Sequence, residues 1–238
     1  MVRIVNLGFL SLVIISLVGA LAASSKEVTE SATTVLRDNW FIEPSADVHA
    51  HGEAISSVGF STRDWYPATL PSTVMSALVE DKVYPDPYTG VNLRSIPGTT
   101  YPIFEDFSNV PMPPASPFRQ SWWYRTEFKL PPEYSGRTVW LDFDGINYRA
   151  NVWMNGVQIA SSENLAGTWR LFNLDVTSAA KPGQANSLAV EIFPPQPRDL
   201  AITLVDWAAQ CLQIKRWASG VMCTSLPPVP SLCVIRLC

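Results

Sequence analysis

The stretch INYRANVWMNG, Ile146–Gly156, holds two aromatic rings, an arginine and three asparagines. Such a mixture is either a binding surface or two strands and their turn. His49 and His51 form an H-x-H pair, and on a strand the two-residue period would bring both imidazoles to one face. No third ligand stands near them, so the pair reads as a surface loop and no metal is assigned. DFDG, Asp142–Gly145, has the first letters of a calcium loop. It lacks the later oxygen ligands and keeps a strand alternation. Trp65 and Tyr66, in RDWYPATLP, are the better candidates for exposed aromatic stacking. There is no G-x-S-x-G, no phosphate loop and no Cys/His nucleophile arrangement, and no cofactor is implied.

The elements that must carry these residues are strands. In WWYRTEFKLP, Trp122, Tyr124, Thr126, Phe128 and Leu130 share one face, while Trp123, Arg125, Glu127 and Lys129 share the other. Val139, Leu141 and Phe143 alternate with Trp140, Asp142 and Asp144, and Leu188, Val190 and Ile192 repeat the pattern. Period two with one apolar face marks half-buried antiparallel strands. One short helix is expected in PSTVMSALVEDKV, capped by Ser72 or Thr73, with Val74, Ala77 and Leu78 as its apolar stripe. The proline-rich run NVPMPPASPF must be a loop, since proline donates nothing to a sheet ladder.

The first stretch resolves on the same grounds. Ala150, Val152 and Met154 point one way and Asn151, Trp153 and Asn155 the other, and Asn155-Gly156 is a strong hairpin signal. Most of INYRANVWMNG is therefore sheet and turn.

Composition sets the outer bounds. At 47% hydrophobic and 16% charged residues the chain is globular, and its 20 prolines lean toward an all-β architecture with many turns. The formal charge is −4 with no basic run, which argues against a nucleic-acid partner. Residues 1–22 read as a signal peptide: Arg3, an apolar run from Ile4 to Val18, then Ala20-Leu21-Ala22 as the small-x-small cleavage pattern. The run is shorter than a spanning helix needs, so the expected mature protein is secreted or periplasmic, with no membrane association after cleavage. Residues 23–34 read as a flexible leader. Four cysteines, Cys211, Cys223, Cys233 and Cys238, fall beyond Trp207, and no acid follows Asp206. Something changes there.

ATLPSTVMSALVEDKVYPDPYTGVNL, SWWYRTEFKLP, VWLDFDGINYRANVWMNGVQIA, LFNLDVTSAAKPGQANSLAVEI and LVDW occur in this order across Trp40–Trp207. Together they resemble the N-terminal sugar-binding jelly-roll domain of glycoside hydrolase family 2. The branch with exo-β-D-glucosaminidases and mannosylglycoprotein endo-β-mannosidases is the nearest. The resemblance implies a jelly-roll β-sandwich, galactose-binding-domain-like, over 35–207. It also implies a downstream immunoglobulin-like domain and a (β/α)8 barrel holding two catalytic glutamates. No acid here matches either glutamate, so the resemblance implies a non-catalytic domain whose ligand is a β-linked glucosaminide or mannoside. Asp142, Asp144 and Glu191 are expected on solvated sheet faces with no partner across a substrate. By the same resemblance, Asp206 would accept hydrogen bonds from sugar hydroxyls at the barrel's pocket, and Trp207 would wall it. As plain structure, they would be a strand end and a core aromatic. A free-standing carbohydrate-binding module and a nonfunctional remnant are the alternatives.

Beyond Trp207 the sequence leaves the family's pattern. Read one base out of phase, with permitted codon choices, CLQIKRWASGVMC becomes PPDKKMGIWRDV, the motif the resemblance leads one to expect. A frameshift near Ala209 or Gln210 follows, and residues 208–238 are expected to form an aberrant, disordered tail.

Overall fold

The computed structural model describes residues 33–97, 116–167, 170–194, 220–221 and 233–237. The first strands are β1 (Thr33–Val35), β2 (Trp40–Pro44), β3 (Tyr66–Ala68) and β4 (Ser72–Thr73), with helices α1 (Gly52–Ile55) and α2 (Val74–Glu80) among and after them. There follow β5 (Trp122–Lys129), β6 (Val139–Phe143), β7 (Arg149–Met154), β8 (Val157–Ala160), β9 (Phe172–Asp175) and β10 (Ala185–Phe193). Two short strands, β11 (Gly220–Val221) and β12 (Cys233–Leu237), come last.

Six strands pair in the order β3-β2-β5-β10-β7-β8 and four in the order β1-β12-β6-β9. Every paired neighbour is antiparallel. The alternation read in the sequence decides what lies between the two sheets. Trp122 and Tyr124 of β5, Val152 and Met154 of β7, and Leu188, Val190 and Ile192 of β10 are buried in one core. Val139, Leu141 and Phe143 of β6 and Phe172 of β9 belong to the same core. Each such large apolar side chain stabilises the sandwich by about 1.5–3 kcal/mol relative to exposure. The fold is an all-β sandwich, as the alternation and the resemblance both implied.

The hairpin between β7 and β8 turns at Asn155 and Gly156, with φ of 51° and 86°. Asparagine and glycine are the residues that take this left-handed region at least cost. Asn155 does more than turn: its Nδ2 donates to Ala179 O at 2.8 Å and to Asn186 Oδ1 at 2.7 Å. Its Oδ1 accepts from Ser187 N at 2.9 Å. The buried Asn186 is fully satisfied by the backbone of Lys181 and Gln184 and by Asn155. Helix α2 starts where the sequence places it, with Thr73 and Ser76 forming a reciprocal capping box and Val74, Ala77 and Leu78 buried.

Short strands also lie at both ends of the domain. Thr33 and Thr34, placed in the flexible leader, belong to β1. Within the tail expected to be disordered, β11 pairs with β4, and β12 lies between β1 and β6. The physical reason is local: Cys-Val-Ile-Arg-Leu is rich in strand-forming residues, and β1 and β6 offer it backbone partners on both sides. The expected signal peptide and residues 23–32 lie outside the described residues.

Candidate functional site

The outward face of the six-stranded sheet is built by the pairing register. Glu43 of β2 stands opposite Trp123 of β5, Trp123 opposite Glu191 of β10, and Glu191 opposite Asn151 of β7. One step along the same face, Phe41, Arg125, Ala189 and Trp153 form a second row. A jelly-roll sheet of this kind normally shows such a face to water. Here the chain from Ser45 to Trp65 folds over part of it. Ile55 of α1 is fully buried against Trp123, Trp153 and Ala189, with Val48, Ala50, Phe60 and Trp65 packed around them.

Arg125 fastens this cover. Only 3% exposed, it donates from Nε to Ile55 O and from Nη2 to Ser57 O, both at 2.8 Å. It also forms an ion pair with Glu127, and its guanidinium lies over the Phe60 ring at 5.6 Å. Burial pushes the Glu127 carboxyl up, but hydrogen bonds from Arg125 and from the Gly59 N–H, together with the Arg125 charge, hold it below the usual range. A charged arginine is tolerated at this depth because its donors are used.

Between the cover and the sheet lies an open cleft of about 880 Å³, floored by Trp123 and Trp153 and walled by Asn151 and Glu191, with His49 and His51 at its rim. The indoles pack with ring centroids 5.3 Å apart at 48°. Glu191 is held by neutral donors: Ser121 Oγ gives to Oε1 at 2.8 Å and Asn151 Nδ2 to Oε2 at 3.0 Å. Asn151 is itself pinned by Ser162 N at 2.7 Å, and Ser121 by Ser45 Oγ at 2.6 Å. Beside Trp123, Glu43 has its pKa raised to about 7, first by burial and then by the charges of Asp47 and Asp64. The Glu43 Oε2 and the Trp153 indole nitrogen are buried without hydrogen-bond partners among the described residues.

Of the residues singled out in the sequence, His49 and His51 come together at this cleft, both exposed. Trp65 and Tyr66 are not free stacking platforms. Trp65 packs edge-on to Phe60 at 6.0 Å, and Tyr66 is half-buried against the core. Asp142 faces outward from the four-stranded sheet, where Asn173 Nδ2 donates to it. It therefore lies on the opposite side of the sandwich from Glu191, and the two make no pair across a common substrate. No group of three or more metal-ligating side chains occurs among the described residues. Asp206 and Trp207 lie outside the described residues.

The sequence reading missed Glu43 and the structural weight of Arg125. It placed Trp123, Arg125 and Glu127 on the outward face correctly. The irregular segment 45–65 carries no periodicity to show that it would return over that face.

A two-sheet antiparallel sandwich is the architecture shared by β-sandwich and jelly-roll domains. Comparison with known proteins narrows this. Residues 116–206 match the family profile described as glycosyl hydrolase 2 galactose-binding domain-like. The exo-β-D-glucosaminidase of Streptomyces avermitilis is 36% identical over 180 residues, 75% of this chain and 18% of that protein. The mannosylglycoprotein endo-β-mannosidase of Lilium longiflorum is 27% identical over 165 residues, 68% of this chain and 15% of that protein. In structure, the Amycolatopsis orientalis exo-chitosanase superimposes with a TM-score of 0.66 at 26% identity, over 87% of this chain and 20% of that one. The chain carries the galactose-binding-like N-terminal domain of glycoside hydrolase family 2. It spans less than a fifth of the length of the curated relatives named here.

Proposed function

We propose that this chain is the non-catalytic N-terminal domain of an exported family 2 β-glycosidase acting on β-linked glucosaminides, with β-mannosides as the second substrate class. The observation that carries the reading is the sandwich itself, which aligns over most of its length with the exo-chitosanase of Amycolatopsis orientalis. In an intact enzyme the domain would buttress a catalytic barrel, and Asp206 and Trp207 would complete the rim of its sugar pocket.

The chemistry supports placing catalysis elsewhere. Retaining hydrolysis needs two carboxyls about 5–5.5 Å apart, one a nucleophile and one an acid/base. Glu191 and Glu53 line the cleft, and the Glu191 oxygens are engaged by Ser121 and Asn151. Asp142 is on the far face of the sandwich. The test is release of reducing sugar from chitosan oligomers and β-mannosides by two purified proteins. One is the 238-residue chain; the other is a long form with the reading frame restored after Trp207. Turnover by the long form alone is expected, and turnover by the short chain would overturn the assignment. A free-standing carbohydrate-binding module is the second reading, favoured by the cleft and distinguished by sugar binding to the short chain without any long form.

A further inference from the structure

Asn155-Gly156 is the only Asn-Gly dipeptide in the chain. The turn selects it, since both residues take positive φ. The same pair carries a chemical liability. An asparagine side chain is open to attack at Cγ by the backbone nitrogen of the next residue, and glycine, having no side chain, leaves that nitrogen the least hindered. The bond from Gly156 N to Asn155 Cγ forms, the Cγ–Nδ2 bond breaks, and ammonia departs to leave a cyclic imide. Water then opens the imide at either carbonyl, giving aspartate or isoaspartate. The sequence of steps needs water alone and no oxidant or reductant.

The fold holds both reacting groups. The attacking nitrogen, Gly156 N, donates its hydrogen to Ser56 Oγ at 3.0 Å, and Ser56 is fully buried at the end of α1. The amide under attack is clamped at both ends: Nδ2 gives to Ala179 O and Asn186 Oδ1, and Oδ1 accepts from Ser187 N. A positive-φ turn requires none of these bonds. They come from α1, from the chain before β10 and from β10 itself, so ring closure requires the hairpin tip to leave all three. Neither product fits the place it left. A carboxylate at 155 would set oxygens against Ala179 O and Asn186 Oδ1, where the amide gave hydrogens. An isoaspartate would lengthen the main chain inside a turn whose flanking pair, Met154 with Val157, is already in register. We propose that Asn155 is a modification site gated by the fold, protected while the hairpin tip is docked, converted to aspartate or isoaspartate when the tip opens, and unable to redock afterwards. A brief opening leaves no mark, and a long one removes the molecule from the pool that refolds.

The experiment incubates the full chain at mildly alkaline pH, folded in buffer or unfolded in urea, and follows the peptide containing Asn155 by mass spectrometry. Conversion is expected to be about a hundredfold or more slower in the folded chain, because modification tracks the population of the open form. Equal rates in buffer and in urea would overturn the protection. Ser56→Ala removes the acceptor of the Gly156 N–H. It should speed conversion several-fold in buffer and leave the rate in urea unchanged, since the reacting dipeptide is the same; an unchanged rate in buffer would overturn the gating at Gly156. Should that variant unfold, the parent chain supplies the second measurement. Its conversion at urea concentrations below the transition should follow hydrogen exchange at the Ser187 N–H, because both need the tip to open. Conversion that ignores this exchange would sink the gate. After dilution from urea, the fraction that refolds should fall in step with the fraction converted. Asn155→Asp, which installs one product side chain directly, should melt well below the parent or fail to fold. Parent-like melting of that variant, or full refolding of converted chains, would show that the product redocks and overturn the proposal.

Discussion

Arg125 Nε donates to the backbone carbonyl of Ile55 at 2.8 Å, joining β5 of the large sheet to the helix that covers it. Because Nη2 also reaches Ser57 O and Glu127, one side chain holds the cover, the sheet and an acid together. Replacing it by methionine keeps the apolar stem but leaves two carbonyls and the Glu127 carboxylate without their donor. Arg125→Met is expected to cost about 2–4 kcal/mol of stability, the scale of lost charged hydrogen bonds at a buried site. Denaturant unfolding measures the loss. A red shift of native tryptophan emission should accompany it, since Trp123 and Trp153 would gain water. An unchanged unfolding midpoint would mean that segment 45–65 is held by packing alone.

At Gly52 the cover lies directly against the indole of Trp153. A Cβ built there would fall on the indole of Trp153, against its fused-ring carbons. Neither group has room to give, since the indole is wedged against Trp123 and Ile55. Gly52→Ala should destabilise the domain by about 1–3 kcal/mol, as overpacking does. Melting of the purified variant tests it, and the altered indole environment should appear in near-ultraviolet circular dichroism.

Much of this was legible in advance, and the division has a physical cause. The core residues Tyr124, Val152, Leu141 and Val190 announced themselves because a strand's period of two is written directly into the chain. Asn155-Gly156 and the Thr73 cap were legible because each depends on only a few adjacent residues. The cover was not: Ile55 ends a single helical turn, Phe60 and Trp65 lie in irregular chain, and Ile55 is tied to Arg125 seventy residues away. The cleft was hidden for the same reason. Glu43, Trp123, Glu191 and Asn151 become neighbours only through the register of four strands.

Glu43 gives the domain a specific pH dependence. Its pKa in the folded state is about 7, raised from 4.5 chiefly by burial and then by Asp47 and Asp64. Below about pH 4.5 the group is protonated in both states and contributes nothing to the slope. Between that pH and about 7 the unfolded chain has lost a proton that the folded chain still holds, so stability falls as pH rises. Above about 7 the penalty is complete. Glu43→Gln should therefore leave stability at pH 4 nearly unchanged and raise it at pH 8. Urea unfolding of both proteins across that range is the check, and parallel curves would show that the Glu43 carboxyl titrates normally.

The final prediction concerns Cys233–Leu237. This strand lies inside the four-stranded sheet, with Thr34 opposite Ile235 on one side and Leu141 opposite the same residue on the other. Among the described residues, β1 pairs with no other strand. Ending the chain at Leu232 would thus strip β1 of its sheet partner and turn one edge of β6 to solvent. Net hydrogen-bond contributions near 1 kcal/mol each imply a loss of about 2–4 kcal/mol, or several degrees of melting temperature for a domain of this size. The frameshift reading sets the opposite expectation, because residues read in the wrong frame have not been fitted to this core by selection. The two meet in a single measurement: the melting temperatures of the full chain and of the chain ending at Leu232, with hydrogen exchange at Leu141 as a local probe. A lower melting temperature and faster exchange in the shortened chain would establish the strand as part of the sandwich. Identical behaviour would return the segment to the tail that the frameshift reading expects.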